Sequence, residues 1–106
     1  MSKTVQIESP AQFSSLLQTS RIVVVDFYAD WCGPCKSIAP LYEQLSAQLS
    51  RPNIITFTKV NTDKQTQVAQ SYSITAMPTF MIFKHGHEVS KIRGARTTEL
   101  SDAVKR

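Results

Sequence analysis

The chain has 106 residues, enough for one domain with a real core and few enough that a single sheet must organise it. Its 42% apolar and 19% charged content is that of an ordinary globular protein. The longest purely aliphatic run, residues 22–25, is far too short to span a membrane. From the start, Val5 and Ile7 alternate with polar residues, which predicts a short half-exposed strand. Ser9, Pro10 and Gln12 read as a helix start: Ser9 as N-cap, Pro10 at the first helical position, Gln12 closing a capping box. Phe13, Leu16 and Leu17 give that helix its buried stripe. Residues 22–28 are β-branched and then aromatic, as in a buried strand. Beyond Cys32 the pattern changes, and Ile38, Leu41, Tyr42, Leu45 and Leu49 fall at helical spacing. Pro40 lies inside that helix, where it removes the bond to the Lys36 carbonyl, yet the apolar spacing runs on past it. Arg51, Pro52 and Asn53 end the helix and 54–60 reads as a third strand. A short polar helix then presents Val68, Ala69 and Tyr72, and a loop over 74–78 leads into an apolar strand over 79–83. His85 and Gly86 mark a tight turn into a last, antiparallel strand over 88–93. Thr97 is expected to cap a closing helix carrying Leu100 and Val104. The order β-α-β-α-β-α-β-β-α predicts an α/β sandwich with a mixed sheet.

The two cysteines, Cys32 and Cys35, sit where the buried strand ends and the long helix begins. Residues three apart on a helix have Cβ atoms roughly 5–6 Å apart, and a disulfide needs about 3.5–4.5 Å. A slightly tightened first turn closes that gap, so the pair can cycle between dithiol and disulfide with little backbone motion. Pro34 suits a first turn, where its missing N–H leaves nothing unpaired, and Gly33 lets the chain turn in. Cys32 then lies against the unpaired N–H groups and positive dipole end of the helix, which stabilise a thiolate. Cys35, one turn further in, is expected to be less exposed and to act second. The competing reading is a structural zinc site. Only His85 and His87, about 50 residues downstream, could complete it, a spacing unlike zinc modules. Asp26, an acid inside an apolar strand, reads equally as a buried group or as a solvated carboxylate at a strand edge.

The run Trp31-Cys32-Gly33-Pro34-Cys35-Lys36 resembles the active-site motif of the thioredoxin family. The likeness extends in family order to Asp26, Pro40, Lys59, Met77-Pro78-Thr79 and Gly94. The resemblance implies a thioredoxin fold: a central five-stranded mixed sheet flanked by four helices, with the first strand beside the third, the third beside the second, then the fourth and fifth. It implies that Asp26 is buried below Cys35 and accepts its proton through water, with Lys59 nearby. It also implies a cis bond before Pro78, with the backbone of Met77 pairing an extended substrate segment. Trp31, Gly33, Met77, Gly94 and Ala95 would then line a shallow surface around Cys32, although Gly94 reads as readily as a simple turn glycine. Tyr28 departs from bacterial members, which carry tryptophan there, but keeps an aromatic.

The function implied is reduction of protein disulfides, with Cys32 as nucleophile and Cys35 resolving. A separate thioredoxin reductase drawing on NADPH would recycle the pair, and no cofactor or metal would bind this chain. Gly33 and Pro34 resemble reducing members, since oxidising or isomerising relatives usually place a histidine before the second cysteine. A non-catalytic thioredoxin-like interaction domain of a larger protein is the alternative. Two cysteines do not make a disulfide scaffold, and the first residues, from Met1, lack an apolar leader or the arginines of a transit peptide. A reducing compartment is expected, the cytosol first and the nucleus still open. The net charge of +4 is scattered, and its one concentration, Lys84, Lys91, Arg93 and Arg96 with His85 and His87, has only the core-like Phe80 and Phe83 beside it. That argues against nucleic acid as a partner. Residues 1–106 are expected to form one domain, a monomer, although the last helix ends on Lys105 and Arg106 without a stop signal, as in a domain of a longer chain.

Overall fold

The computed structural model describes residues 3–105. Met1, Ser2 and Arg106, on which the readings of the two chain ends partly fall, lie outside the described residues. The nine elements are β1 (Val5–Gln6), α1 (Pro10–Thr19), β2 (Ile22–Tyr28), α2 (Gly33–Leu49), β3 (Ile55–Asn61), α3 (Thr66–Ser71), β4 (Thr79–Lys84), β5 (His87–Arg93) and α4 (Thr97–Val104). They build one five-stranded sheet in the order β1-β3-β2-β4-β5. β1 and β2 run parallel to β3, while β4 and β5 are antiparallel additions on the other side. The most apolar strand, β2, is therefore central and is covered on both faces.

Alternation along β2 assigns its residues to two cores. Val23, Val25 and Phe27 join Phe13 of α1, Val68 of α3 and Met81 and Phe83 of β4. Val24 faces the other way, with Ile38, Tyr42 and Leu45 of α2, Phe57 of β3 and Leu100 and Val104 of α4. Burying each of these larger side chains contributes roughly 1.5–3 kcal/mol. Asp26 is two residues beyond Val24 and so shares the face under α2. That parity puts a carboxyl group beneath the helix that carries both cysteines.

The local signals act largely as expected, with differences in detail. Ser9 caps α1 by accepting the Gln12 N–H at 3.1 Å. The return arm of the capping box reaches one residue too far: Gln12 Oε1 accepts from the Glu8 N–H at 2.6 Å, because its Nε2 is drawn to the Gln6 carbonyl. The helix α2 runs through Pro40 to Leu49. His85 (φ 51°) and Gly86 (φ 81°) are both left-handed and lie between the paired Lys84 and His87, so the turn is a two-residue hairpin and β4 and β5 each gain a residue. A bulge opposite Ile82 and Phe83 leaves Val89 unpaired and 55% exposed. Thr97 does not cap α4. It is the first helical residue, Arg96 holds the cap position, and Arg96 pairs with Glu99 in the first turn at 2.9 Å.

Candidate active site at the head of α2

Cys32 is the N-cap of α2, with extended backbone (φ −87°, ψ 110°), and its sulfur accepts the Cys35 N–H at 3.1 Å. A sulfur thus takes the place that Ser9 Oγ takes on α1, meeting an orphan donor of the first turn. Pro34 occupies that turn without losing a hydrogen bond. Cys32 and Cys35 are joined in a disulfide, their Cα atoms 5.3 Å apart. The Cys32 sulfur lies 3.6 Å from the Met77 carbonyl oxygen, and Tyr28, Ala29 and Met77 pack against the pair. The Met77–Pro78 peptide bond is cis, and the Pro78 carbonyl accepts the Gly94 N–H at 2.8 Å. The loop before β4 and the end of β5 are thereby tied together beside the sulfurs.

Behind the disulfide lies Asp26, 1% exposed, with Oδ1 out of contact with any hydrogen-bond partner among the described residues. Burial pushes its carboxyl up from 3.8 to about 7; Lys59 pulls against that shift and Glu43 adds to it. Lys59 is opposite Asp26 in the β2–β3 register, its Nζ 4.7 Å above the Tyr28 ring. A cleft of about 130 Å³ joins the two centres, lined by Asp26, Tyr28, Ala29, Asp30, Cys35, Lys36, Ala39 and Lys59. At about 30 Å³ per molecule it has room for a few waters between the Cys35 sulfur and the carboxyl group.

Comparison with known proteins gives this arrangement its kin. The sequence profile of the thioredoxin family matches residues 4–106. The thioredoxin of Neurospora crassa is 48% identical over 105 residues, covering 94% of this chain and 83% of that one. Thioredoxin-1 of Saccharomyces cerevisiae is 41% identical over 99 residues, 93% of each chain. A solved chain from a study of thiol resolution in yeast mitochondrial 1-Cys peroxiredoxin via glutathione/thioredoxin systems superposes with a TM-score of 0.89 at 33% identity, covering 99% of this chain and 98% of its own. The chain belongs to the thioredoxin family. It is a thioredoxin-type thiol-disulfide oxidoreductase, a protein-disulfide reductase with a Cys-x-x-Cys active site, and its sheet and four helices are the thioredoxin fold.

Within this thioredoxin site, two expectations need correction. Cys35 is not the more hidden sulfur: Cys32 is 4% and Cys35 5% exposed, because in the disulfide both lie under the same cover of Met77 and Ala29. Surroundings distinguish them instead, Cys32 facing the Met77 carbonyl and Cys35 facing the cleft. Nor does Gly33 owe its place to an unusual backbone, since a Cβ there would meet nothing within 4 Å and its φ lies outside the left-handed range. Of the remaining site residues, Met77 and Pro78 are drawn to the disulfide and Gly94 is tied to Pro78. Ala95 is exposed beyond Gly94, and Pro40 is exposed on α2 away from the cleft. Trp31 is 69% exposed and anchored by its indole N–H, donated to Asp63 Oδ2 at 3.0 Å.

Asp63 was not singled out in the sequence, nor was Asn61, whose amide donates to Asp30 Oδ2 at 3.3 Å. Asn61 ends β3 and Asp63 follows it, where polar residues ordinarily signal only a turn. Tyr42 passed as a core aromatic. Its hydroxyl is 2.6 Å from the Thr58 carbonyl oxygen and 3.2 Å from that of Val24, so it also ties α2 to the two strands beside Asp26. His85 and His87 are exposed at the end of the sheet opposite the cysteines, His85 N–H bonding the Arg21 carbonyl before β2 begins. Phe80 and Phe83, the aromatics nearest the basic concentration, are buried.

Proposed function

We propose that Cys32 is the attacking and Cys35 the resolving sulfur, with Asp26 as proton acceptor. The Cys32 thiolate attacks a target disulfide, forming a mixed disulfide and releasing one target thiolate. Asp26, as carboxylate, then takes the Cys35 proton through cleft water. Cys35 attacks Cys32, the second target thiolate leaves with the electron pair of the broken bond, and the Cys32–Cys35 disulfide remains. The target gains two electrons, and this chain loses them. The observation that carries the assignment is the Cys35 N–H on the Cys32 sulfur: a donor that stays in place when the sulfur is a thiolate lowers the cost of its charge.

Lys59 tunes Asp26; Pro34 shapes the first turn, Gly33 adds no side chain beside the sulfurs, and Pro40 keeps its family place in α2. Trp31, Met77, Pro78, Gly94 and Ala95 form the surface on which a target segment docks, the Met77 backbone offering a partner for an added strand. A thioredoxin reductase supplied by NADPH restores the dithiol. The targets are disulfide-bearing proteins, and the likeness to a chain studied with a peroxiredoxin supports counting proteins of that kind among them. Residues 1–106 act as one thioredoxin domain, a monomer, in the cytosol or nucleus. No helix among the described residues is long and apolar enough to cross a membrane.

The test is Cys35→Ser. It should trap targets on Cys32 as mixed disulfides that survive on a gel without reductant and vanish with it. Recovery of none, with Cys32→Ser trapping instead, would reverse the order.

A further inference from the structure

Beyond the cleft behind Cys35, the helix that walls it carries a further acid. On α2, Cys35, Ala39 and Glu43 follow one another at four-residue steps, and Lys36 and Glu43, seven apart, lie almost in line. Cys35, Lys36 and Ala39 form the helical wall of the cleft, so Glu43 stands one turn beyond it. Glu43 is half-buried, with Oε1 withdrawn from solvent. We propose that Glu43 is a positioning residue of the resolving step, its carboxyl group countering part of the Lys59 charge at Asp26 while Asp26 takes and returns the Cys35 proton.

The charges that face Asp26 make this specific. From β3 comes Lys59, which favours the carboxylate; from α2 comes Glu43, which opposes it. Tyr42, also on α2, stays protonated, since burial and the Asp26 charge push its phenol up. Asp30 and Lys36 border the cleft mouth, and β4 brings only the uncharged Phe80 opposite. Burial alone would make Asp26 a strong but seldom ionised base, and Lys59 alone would make it a weak one. Glu43 offsets part of the lysine's pull and so adds to burial in keeping Asp26 basic enough to remove a thiol proton near neutrality. This inference rests on the proton-accepting role proposed for Asp26.

The experiment follows the Asp26 carboxyl by carbon-detected NMR across the neutral pH range, alongside the pH profile of the resolving step after rapid mixing with a disulfide target. Parent, Glu43→Gln, Lys59→Met and Asp26→Asn are compared. In Glu43→Gln the Asp26 midpoint should move to lower pH, and in Lys59→Met to higher pH. The resolving profile of each should shift in the same direction. Glu43→Gln should resolve faster than the parent on the acid side of the parent midpoint and slower above it. A merely structural Glu43 would lower the melting temperature and leave the midpoint in place. An unmoved midpoint in Glu43→Gln, with Asp26→Asn still slow, overturns this inference alone. If Asp26→Asn resolves at the parent rate, the base role itself falls and this inference with it.

Discussion

Asp26, the proton acceptor proposed above, works against the fold. Its carboxyl titrates near 7 when folded and near the ordinary 3.8 when unfolded. Between those values the folded chain binds more protons, so stability is fully present below about pH 4 and declines as pH rises through about 7. A rise of that size corresponds to roughly 4 kcal/mol at the top of that window, an upper figure because an unfolded chain keeps some structure. Asp26→Asn should therefore be more stable than the parent, by on the order of 2–4 kcal/mol at about pH 8 and by little at about pH 4, as read from urea unfolding at both values. The same variant should slow resolution near neutral pH and spare Cys32 attack, which stopped-flow mixing separates. The cysteine pair was legible because its chemistry is local to one helix turn. The burial of Asp26 was not: strand alternation leaves the face open, and only the family resemblance chose it. Glu43 was less legible still, because its part depends on how α2 lies over β2, which no spacing along one helix reports.

At the scale of elements, the termini and turns carry most of what could be read in advance. Ser9 with Pro10 and the pair His85 and Gly86 specify backbone geometry through their own side chains or lack of them, so they were readable. Thr97 misled because threonine suits both a cap and a first turn, and the Arg96–Glu99 pair at that helix start is visible only once the chain is folded. Two glycines make opposite predictions. Gly86→Ala places a Cβ at φ 81° and should cost about 1–2 kcal/mol. Gly33→Ala enters open space at the first position of α2, without a left-handed backbone, and should change stability by less than about 0.5 kcal/mol. Equilibrium urea unfolding of both variants checks the contrast; a loss at Gly33 matching that at Gly86 would contradict it.

For the whole molecule, the alternation of strands and helices was enough to predict a mixed α/β sheet, but not its strand order. Many orders satisfy the same pattern, and which strands neighbour one another is decided by the two-sided burial of β2, a property of the assembled layers. That architecture predicts where the molecule opens last. Amide exchange should be slowest in β2, β3 and β4, whose residues fill both cores, and faster in the two-residue edge β1 and the six-residue α3, as native-state hydrogen exchange would show. A different consequence follows from the near-equal cover on the two sulfurs. Both sulfurs of the oxidised bond are nearly covered, with Met77 and Ala29 packed against them, so a small free thiol has little surface to grip. A protein that lays a segment against the Met77 loop brings a contact area that a small thiol lacks. The oxidised centre is insulated as a wire is, and current enters it best through a plug that fits.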